Sequence, residues 1–335
     1  MNARAPLLIP WCQGCWEHVH PDVLYLPEGF MGYHYWMAFT PCPRGNDRFE
    51  NPTLRASHEG LAWVKLSGIP EPVVPTPNDP ETHNGDPDIV FHHGRLYMIY
   101  ATINDEKRRS TFNFVSSAEG QHWSEPHTIY SGTLGVSPAC VADEDAWYVW
   151  FIRQERNSSS SELLVRKGPA LVRLGKELLC QLDIPGHIPW HIDVQKVDSG
   201  LDALVAAYPE KEDHSRTSLF HAFSKDGLYF ILDPANAILR PSSFGWDNRM
   251  IYRSSFLKQA DGTYRIWYSA ASWGRRFGIG HLQGPLDDLM EDPAAPFAPV
   301  PAFAGRLWGE LNGGLRYQAR HHLPAFLLRR MVRKP

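Results

Sequence analysis

Runs of alternating or continuous apolar residues, mostly four to eight long and bounded by Gly, Pro, Asp or Asn, cover most of this chain, and no long amphipathic period competes with them. The clearest run is Asn84-Gly85-Asp86-Pro87-Asp88-Ile89-Val90-Phe91, then His92-His93-Gly94, then Arg95-Leu96-Tyr97-Met98-Ile99-Tyr100. It predicts a β-hairpin: an acidic Asp-Pro corner, an apolar strand, a tight Gly turn and an aromatic strand. Proline suits the beginning of a strand, where no ladder donor is yet needed.

The same unit recurs with its corner at His20-Pro21-Asp22, Ser137-Pro138, His191-Ile192-Asp193 and Arg253-Ser254-Ser255, each followed by a second, more aromatic strand. The five starts lie about 50–65 residues apart, room for four short strands and their loops, as in a propeller blade. A second repeat supports this. Ser57-x-Glu59-Gly60, Ser117-x-Glu119-Gly120 and Ser224-x-Asp226-Gly227 each precede an aromatic residue three positions on, Trp63, Trp123 and Phe230. The acid accepts turn amides, glycine supplies the turn and the aromatic anchors the outer strand. The expected fold is therefore all-β: a five-bladed β-propeller of four-stranded antiparallel blades over residues 20–292. A lead-in (1–19) precedes it, and a short basic C-terminal extension (293–335) follows.

Composition narrows the function classes. With 43% apolar residues in 335, the chain can bury a large core, and at net charge -4 it lacks the basic footprint of a nucleic-acid binder. The exception is the extension, where Arg306, Arg316, Arg320, Arg329, Arg330, Arg333 and Lys334 face one acid, Glu310. It reads as a strap across the propeller, with contact to a partner or an acidic membrane surface as the lesser alternative. The first residues lack a signal-type apolar run, and the five cysteines, Cys12, Cys15, Cys42, Cys140 and Cys180, form no disulfide framework. A cytoplasmic protein with reduced thiols is expected.

The five corners with their Asp-Pro or His-Pro starts resemble the five-bladed propeller glycoside hydrolases, those of families 43 and 32 and the family 130 phosphorylases and hydrolases. The resemblance covers roughly residues 17 to 285 as an architecture and singles out no one family. It implies that the innermost strands line a sugar pocket on the axis. His20, Asp86, Ser137, His191 and Arg253 then form one ring, and Asp22, Asp88, Ala139, Asp193 and Ser255 share the same face two residues on. A set of His, Arg and Asp this dense is costly to bury without a polar ligand. Family 43 implies an Asp base, an Asp that tunes a pKa and a Glu acid. This chain departs from that pattern, with His20 at the first corner, Ser137 at the third and His191 in place of the acid. Family 130 uses a single Asp as proton donor at an Asp-Pro corner, and Asp86 matches it without the flanking Glu and Arg.

On this reading Asp86 is the acid, and Asp22 or Asp193 the base, of a two-carboxylate glycoside cleavage. His20, Asp88, His191, Arg253, Trp190, Glu50 and Asn51 bind a carbohydrate or glycoconjugate, anionic ones included. Glu155 is a further candidate acid, and Trp246 a further stacking platform. A non-catalytic sugar-binding propeller and a phosphorylase built on Asp86 are the alternatives. No cofactor is expected and no metal ligands are assigned, because no tight His or Cys spacing occurs; a divalent cation in the axial channel stays open as an alternative.

Overall fold

The computed structural model describes residues 2–11, 16–154, 160–212 and 214–289. These residues form five antiparallel sheets set around an axis, one per predicted repeat. Blade I comprises His18–Phe30, Tyr33–Pro41 and Thr53–Ser57; blade II, Thr82–His92, Arg95–Asn104, Arg109–Ser117 and His127–Thr133. Blade III comprises Gly135–Ala142, Trp147–Gln154, Ser161–Gly168 and Leu178–Leu179. Blade IV is built from His187–Val197, Gly200–Pro209, Ser218–Ser224 and Tyr229–Leu232, with Gln181–Leu182 added in parallel at its outer edge. Blade V has Met250–Lys258, Tyr264–Ala271 and Phe277–Gly284.

Four strands per blade is thus the pattern of blades II and III, whereas blades I and V keep three. In blade I a lone bridge between Ala56 and Val64 stands in for the fourth. At blade V the N-terminal segment takes the place: Leu7 N donates to Ile279 O (2.7 Å), and Trp246 Nε1 donates to Ala3 O (2.9 Å). The lead-in is part of the blade V–I seam, with Ile9 wholly buried. The described chain ends in a short helix, Leu286–Leu289, so the basic extension lies outside the described residues, as do Cys12, Cys15 and Glu155. Cys42, Cys140 and Cys180 are free and buried. No helix among the described residues is long and apolar enough to cross a membrane.

Apolar packing runs between neighbouring blades. Trp36, Trp150 and Trp267, one on the second strand of each of three blades, are fully buried, and replacing such a residue by Ala costs roughly 3–5 kcal/mol. The Ser-x-acid-Gly turns work with them. Gly60, Gly120 and Gly227 take φ of +79°, +76° and +76° and donate their N–H to Ser57, Ser117 and Ser224 Oγ. Trp267 Nε1 of blade V donates to Gly60 O of blade I, and Trp150 Nε1 of blade III to Gly227 O of blade IV, each at 2.8 Å. A Cβ on either glycine would meet that indole at under 3 Å, so the motif fastens one blade to the next.

The corners differ from expectation in one respect. They do not begin the strands; each lies inside a longer innermost strand, at a β-bulge where the pairing register slips. His20, Asp86 and Ser137 sit there at φ +55°, +51° and +56°, each followed by proline. A bulge leaves one residue unpaired, which suits proline's missing donor. The left-handed conformation is unfavourable for a residue bearing a Cβ, and more so before proline. Three strained positions in register around the axis mark where local preference yields to site geometry.

Candidate functional site

The bulges aim the five corner side chains at the axis in an upper ring. Two residues on, the next inward-facing side chains make a lower ring. The two rings are bonded in different ways.

In the lower ring one oxygen of each polar side chain is taken by the adjoining blade. Asp22 Oδ2 accepts Ile89 N (2.6 Å), Asp88 Oδ1 accepts Cys140 N (3.1 Å), Asp193 Oδ2 accepts Phe256 N (3.2 Å) and Ser255 Oγ accepts Val23 N (2.9 Å). Blade I thus reaches II, II reaches III, IV reaches V and V reaches I; only Ala139 of blade III has no group to offer. Asp22, Asp88 and Asp193 also place one oxygen each within 4.8 Å of one another, all buried. Burial raises all three carboxyls above the ordinary range, mutual repulsion adds at Asp88 and Asp193, and Arg253 pulls the other way.

The upper ring is held less completely. Asp86 Oδ2 accepts Ser137 N (2.8 Å), and Ser137 Oγ in turn bonds the Ile192 backbone. Asp86 Oδ1, however, has no hydrogen-bond partner; it lies 3.3 Å from His20 Nε2, 3.5 Å from His191 Nδ1 and 3.7 Å from Arg253 Nη1. Those three nitrogens are also buried without a hydrogen-bond partner. One ligand atom from each of His20, Asp86 and His191 falls within 4.8 Å of the others. Burial would raise the Asp86 carboxyl, but His20, His191 and Arg253 together outweigh it and hold it well below the usual range. Burial lowers His191 to about 4, so its imidazole is neutral near pH 7. At His20 burial also disfavours the charged form, but Asp86 and Glu50 overcome it and raise the pKa.

Glu50 reaches the ring from the loop after the second strand of blade I. Its Oε2 lies 3.2 Å from His20 Nδ1, which also meets Thr40 Oγ1 at 2.9 Å. Glu50 and Thr40 thus flank Nδ1, while Nε2 faces Asp86 Oδ1 at 3.3 Å. A Cβ on residue 85 would stand 3.0 Å from Glu50 Oε2, which explains glycine before Asp86. Asn51, next to Glu50, is spent on structure: its amide donates to Val74 O and Thr76 Oγ1 and accepts from Asn84.

One wall is aromatic. Trp190 stacks on His214 (3.9 Å between centroids, 20°), and Tyr252 stands edge-on to both Trp190 (4.7 Å) and His191 (4.5 Å) and 5.0 Å from His20. Tyr252 escaped sequence reasoning, although a signal exists: Trp190-His191 and Tyr252-Arg253 both put an aromatic immediately before a corner. Trp246 lies elsewhere, packed on Tyr268 and on the N-terminal segment.

The fold can now be placed among known proteins. No protein-family model matches the chain. A crystal structure of an N-acetylgalactosamine deacetylase from F. plautii, in complex with blood group B trisaccharide, superposes with a TM-score of 0.77 at 22% identity, over 88% of this chain and all of that one. A GH43 protein from Bacillus licheniformis gives 0.55 at 15% identity, over 85% of this chain and 58% of that one. The chain has the fold of the five-bladed propeller glycoside hydrolases. In sequence it is similar to an A type blood N-acetyl-α-D-galactosamine deacetylase from Flavonifractor plautii, at 28% identity over 305 residues and 75% of this chain. It spans about two fifths of that relative's length. Glycoside hydrolases and a carbohydrate deacetylase are thus both represented among the proteins this chain resembles.

Proposed function

We propose that this propeller is a metal-dependent deacylase that removes the acetyl group from an N-acetylated sugar. The observation that carries the reading is the convergence of His20 Nε2, His191 Nδ1 and Asp86 Oδ1, buried and without hydrogen-bond partners. Buried polar atoms are rarely left so, and two imidazoles with one carboxylate suit a divalent ion of the zinc or manganese type that keeps open positions. The carbohydrate deacetylase similar to this chain supports the choice of reaction.

Bound there, a divalent ion supplies Lewis-acid polarisation of the acyl oxygen and acidification of water. The remaining work falls to side chains. Glu50 fixes His20 in the tautomer that presents Nε2, and as the neighbouring carboxylate it takes a proton from the attacking water. That proton returns to the amide nitrogen as the C–N bond breaks, giving acetate and the free amino sugar. Trp190, braced by His214, and Tyr252 supply the face on which a sugar ring stacks.

The two-carboxylate glycosidase reading has less support. Asp22 and Asp193 are committed to inter-blade bonds below the open atoms, and Asp86 is held ionised where a general acid needs its proton. The experiment is acetate release from N-acetylhexosaminides by protein stripped with a chelator and refilled with Zn²⁺ or Mn²⁺. Release that stops on stripping and returns on refilling is expected. Cleavage of the glycosidic bond without acetate release, indifferent to chelation, would overturn the proposal.

A further inference from the structure

The turns joining second and third strands open on the same face as the corners. In four blades such a turn holds an arginine in the left-handed region: Arg44 (φ +58°), Arg108 (+48°), Arg216 (+62°) and Arg275 (+55°). Such a backbone is uncommon for a long side chain, and four equivalent turns sharing it ask for a reason. Two of the four meet at the seam of blades V and I. Gly45 stands between them, where a Cβ would lie 3.2 Å from Phe277 Cε2 and 3.9 Å from the Arg275 Cβ. Arg44 and Arg275 are exposed, and among the described residues neither side chain makes an ion pair. Their neighbours differ: Arg276 pairs with Glu17 (3.1 Å) and Arg48 with Glu81 (3.1 Å).

Beside this pair an indole faces water. Trp273 is 60% exposed, its backbone N–H tied to Asn248 Oδ1 (3.1 Å), and the Arg249 guanidinium lies 5.8 Å from its ring. Phe244, on the loop before blade V, is 75% exposed. The seam is also close to the upper ring. Phe277, two residues after Arg275, contacts the Tyr252 ring (5.9 Å), and Tyr252 flanks His20 and His191. An open aromatic face beside unpaired guanidinium groups matches a pyranose ring that carries a carboxylate or sulfate: the indole takes the apolar sugar face and the arginines take the anion in charge-assisted bonds.

We propose that the blade V–I seam is a subsite for an anionic sugar of a longer glycan, with Trp273 stacking on the ring and Arg44 and Arg275 holding its acidic group. This rests on the deacylase reading only for which sugar then sits at His20, Asp86 and His191. The substrate class that follows is an acidic, N-acetylated oligosaccharide or glycoconjugate rather than a neutral one.

The test is calorimetric binding to the metal-loaded protein of a chondroitin tetrasaccharide, which alternates hexuronate with N-acetylgalactosamine, and of its carboxyl-reduced form. The acidic ligand should bind about tenfold more tightly at low salt, an advantage that high salt erodes. Replacing both arginines (Arg44→Ala with Arg275→Ala) should abolish that advantage and leave the affinity for the reduced form alone, while Arg275→Lys retains part of it. Trp273→Ala should weaken both ligands. Acetate release from a neutral N-acetylhexosaminide should be unaffected in all these variants. Equal affinity for the two tetrasaccharides, no binding of either, or equal loss of both in the arginine variant would overturn the subsite. Selective binding without any acetate release would overturn the deacylase reading instead.

Discussion

Two rings of side chains two residues apart on the same strands have opposite fates. The lower ring, Asp22, Asp88, Asp193 and Ser255, spends one oxygen each on a backbone N–H of the next blade. The upper ring leaves His20 Nε2, His191 Nδ1 and Asp86 Oδ1 bare. Such hydrogen bonds contribute roughly 0.5–1.5 kcal/mol each, so the lower ring acts as a belt that closes the propeller. Bare buried donors and acceptors cost free energy, which a bound ligand recovers. A residue type in the axial channel therefore says little about role; what its second atom touches says much.

The comparison breaks first, and most visibly, at Asp86 and Asp193. Asp86→Asn keeps the acceptor for Ser137 N but loses the ligand charge. Its acetate release per folded molecule should fall at least about a thousandfold, and its melting temperature in metal-free buffer should fall too, because His20, His191 and Arg253 stabilise the ionised carboxyl. Asp193→Ala strands Phe256 N–H, and should cost about 1–3 kcal/mol of stability while the folded fraction keeps its turnover. Activity assays paired with chemical denaturation decide it; the reverse pattern would exchange the roles of the rings.

Glu50→Gln sharpens the assignment within the upper ring. As proton acceptor its loss should lower kcat by about 10²–10⁴ with metal content retained. If Glu50 only orients His20, the change would instead appear as a 10–100-fold weaker metal affinity, with kcat restored at saturating metal.

A smaller effect is expected at a fourth carboxylate, far from the axis. Asp202 bonds Tyr264 Oη (2.6 Å) and Lys258 Nζ (3.0 Å) and lies 3.5 Å from His221 Nε2. Burial alone would raise its carboxyl, but these partners bring it down to about 2. A depressed folded-state pKa stabilises above the unfolded value near 4 and is lost as pH falls through about 2. Asp202→Asn should therefore be less stable than wild type by about 1–2 kcal/mol at pH 7, the gap closing between about pH 4 and pH 2. A gap that is unchanged across that range would show that the Asp202 charge contributes nothing.

Much of this is legible in the chain. Spacing of the corners names five blades, and strand alternation pairs each corner with the residue two further on, which suffices to assign the members of both rings. Glycine boxes announce turns because only φ near +79° or +76° fits them. Other features are not legible. Proline after His20, Asp86 and Ser137 reads as a strand start, since a bulge inside a strand leaves the same local signature. Glu50 and Asn51, adjacent in sequence, part in three dimensions: one reaches His20 and the other ties down a loop.

By itself the sequence determined periodicity, turn chemistry and an excess of polar groups facing an axis, all of which depend on contacts near in the chain. Only the tertiary structure decided which of those polar groups are satisfied. His20, Asp86 and His191 come from three blades, so no spacing relates them, and whether an oxygen meets the next blade's N–H or faces the axis depends on how the propeller closes. The local cost of three left-handed corners is borne because closure around the axis overrides backbone preference at those positions.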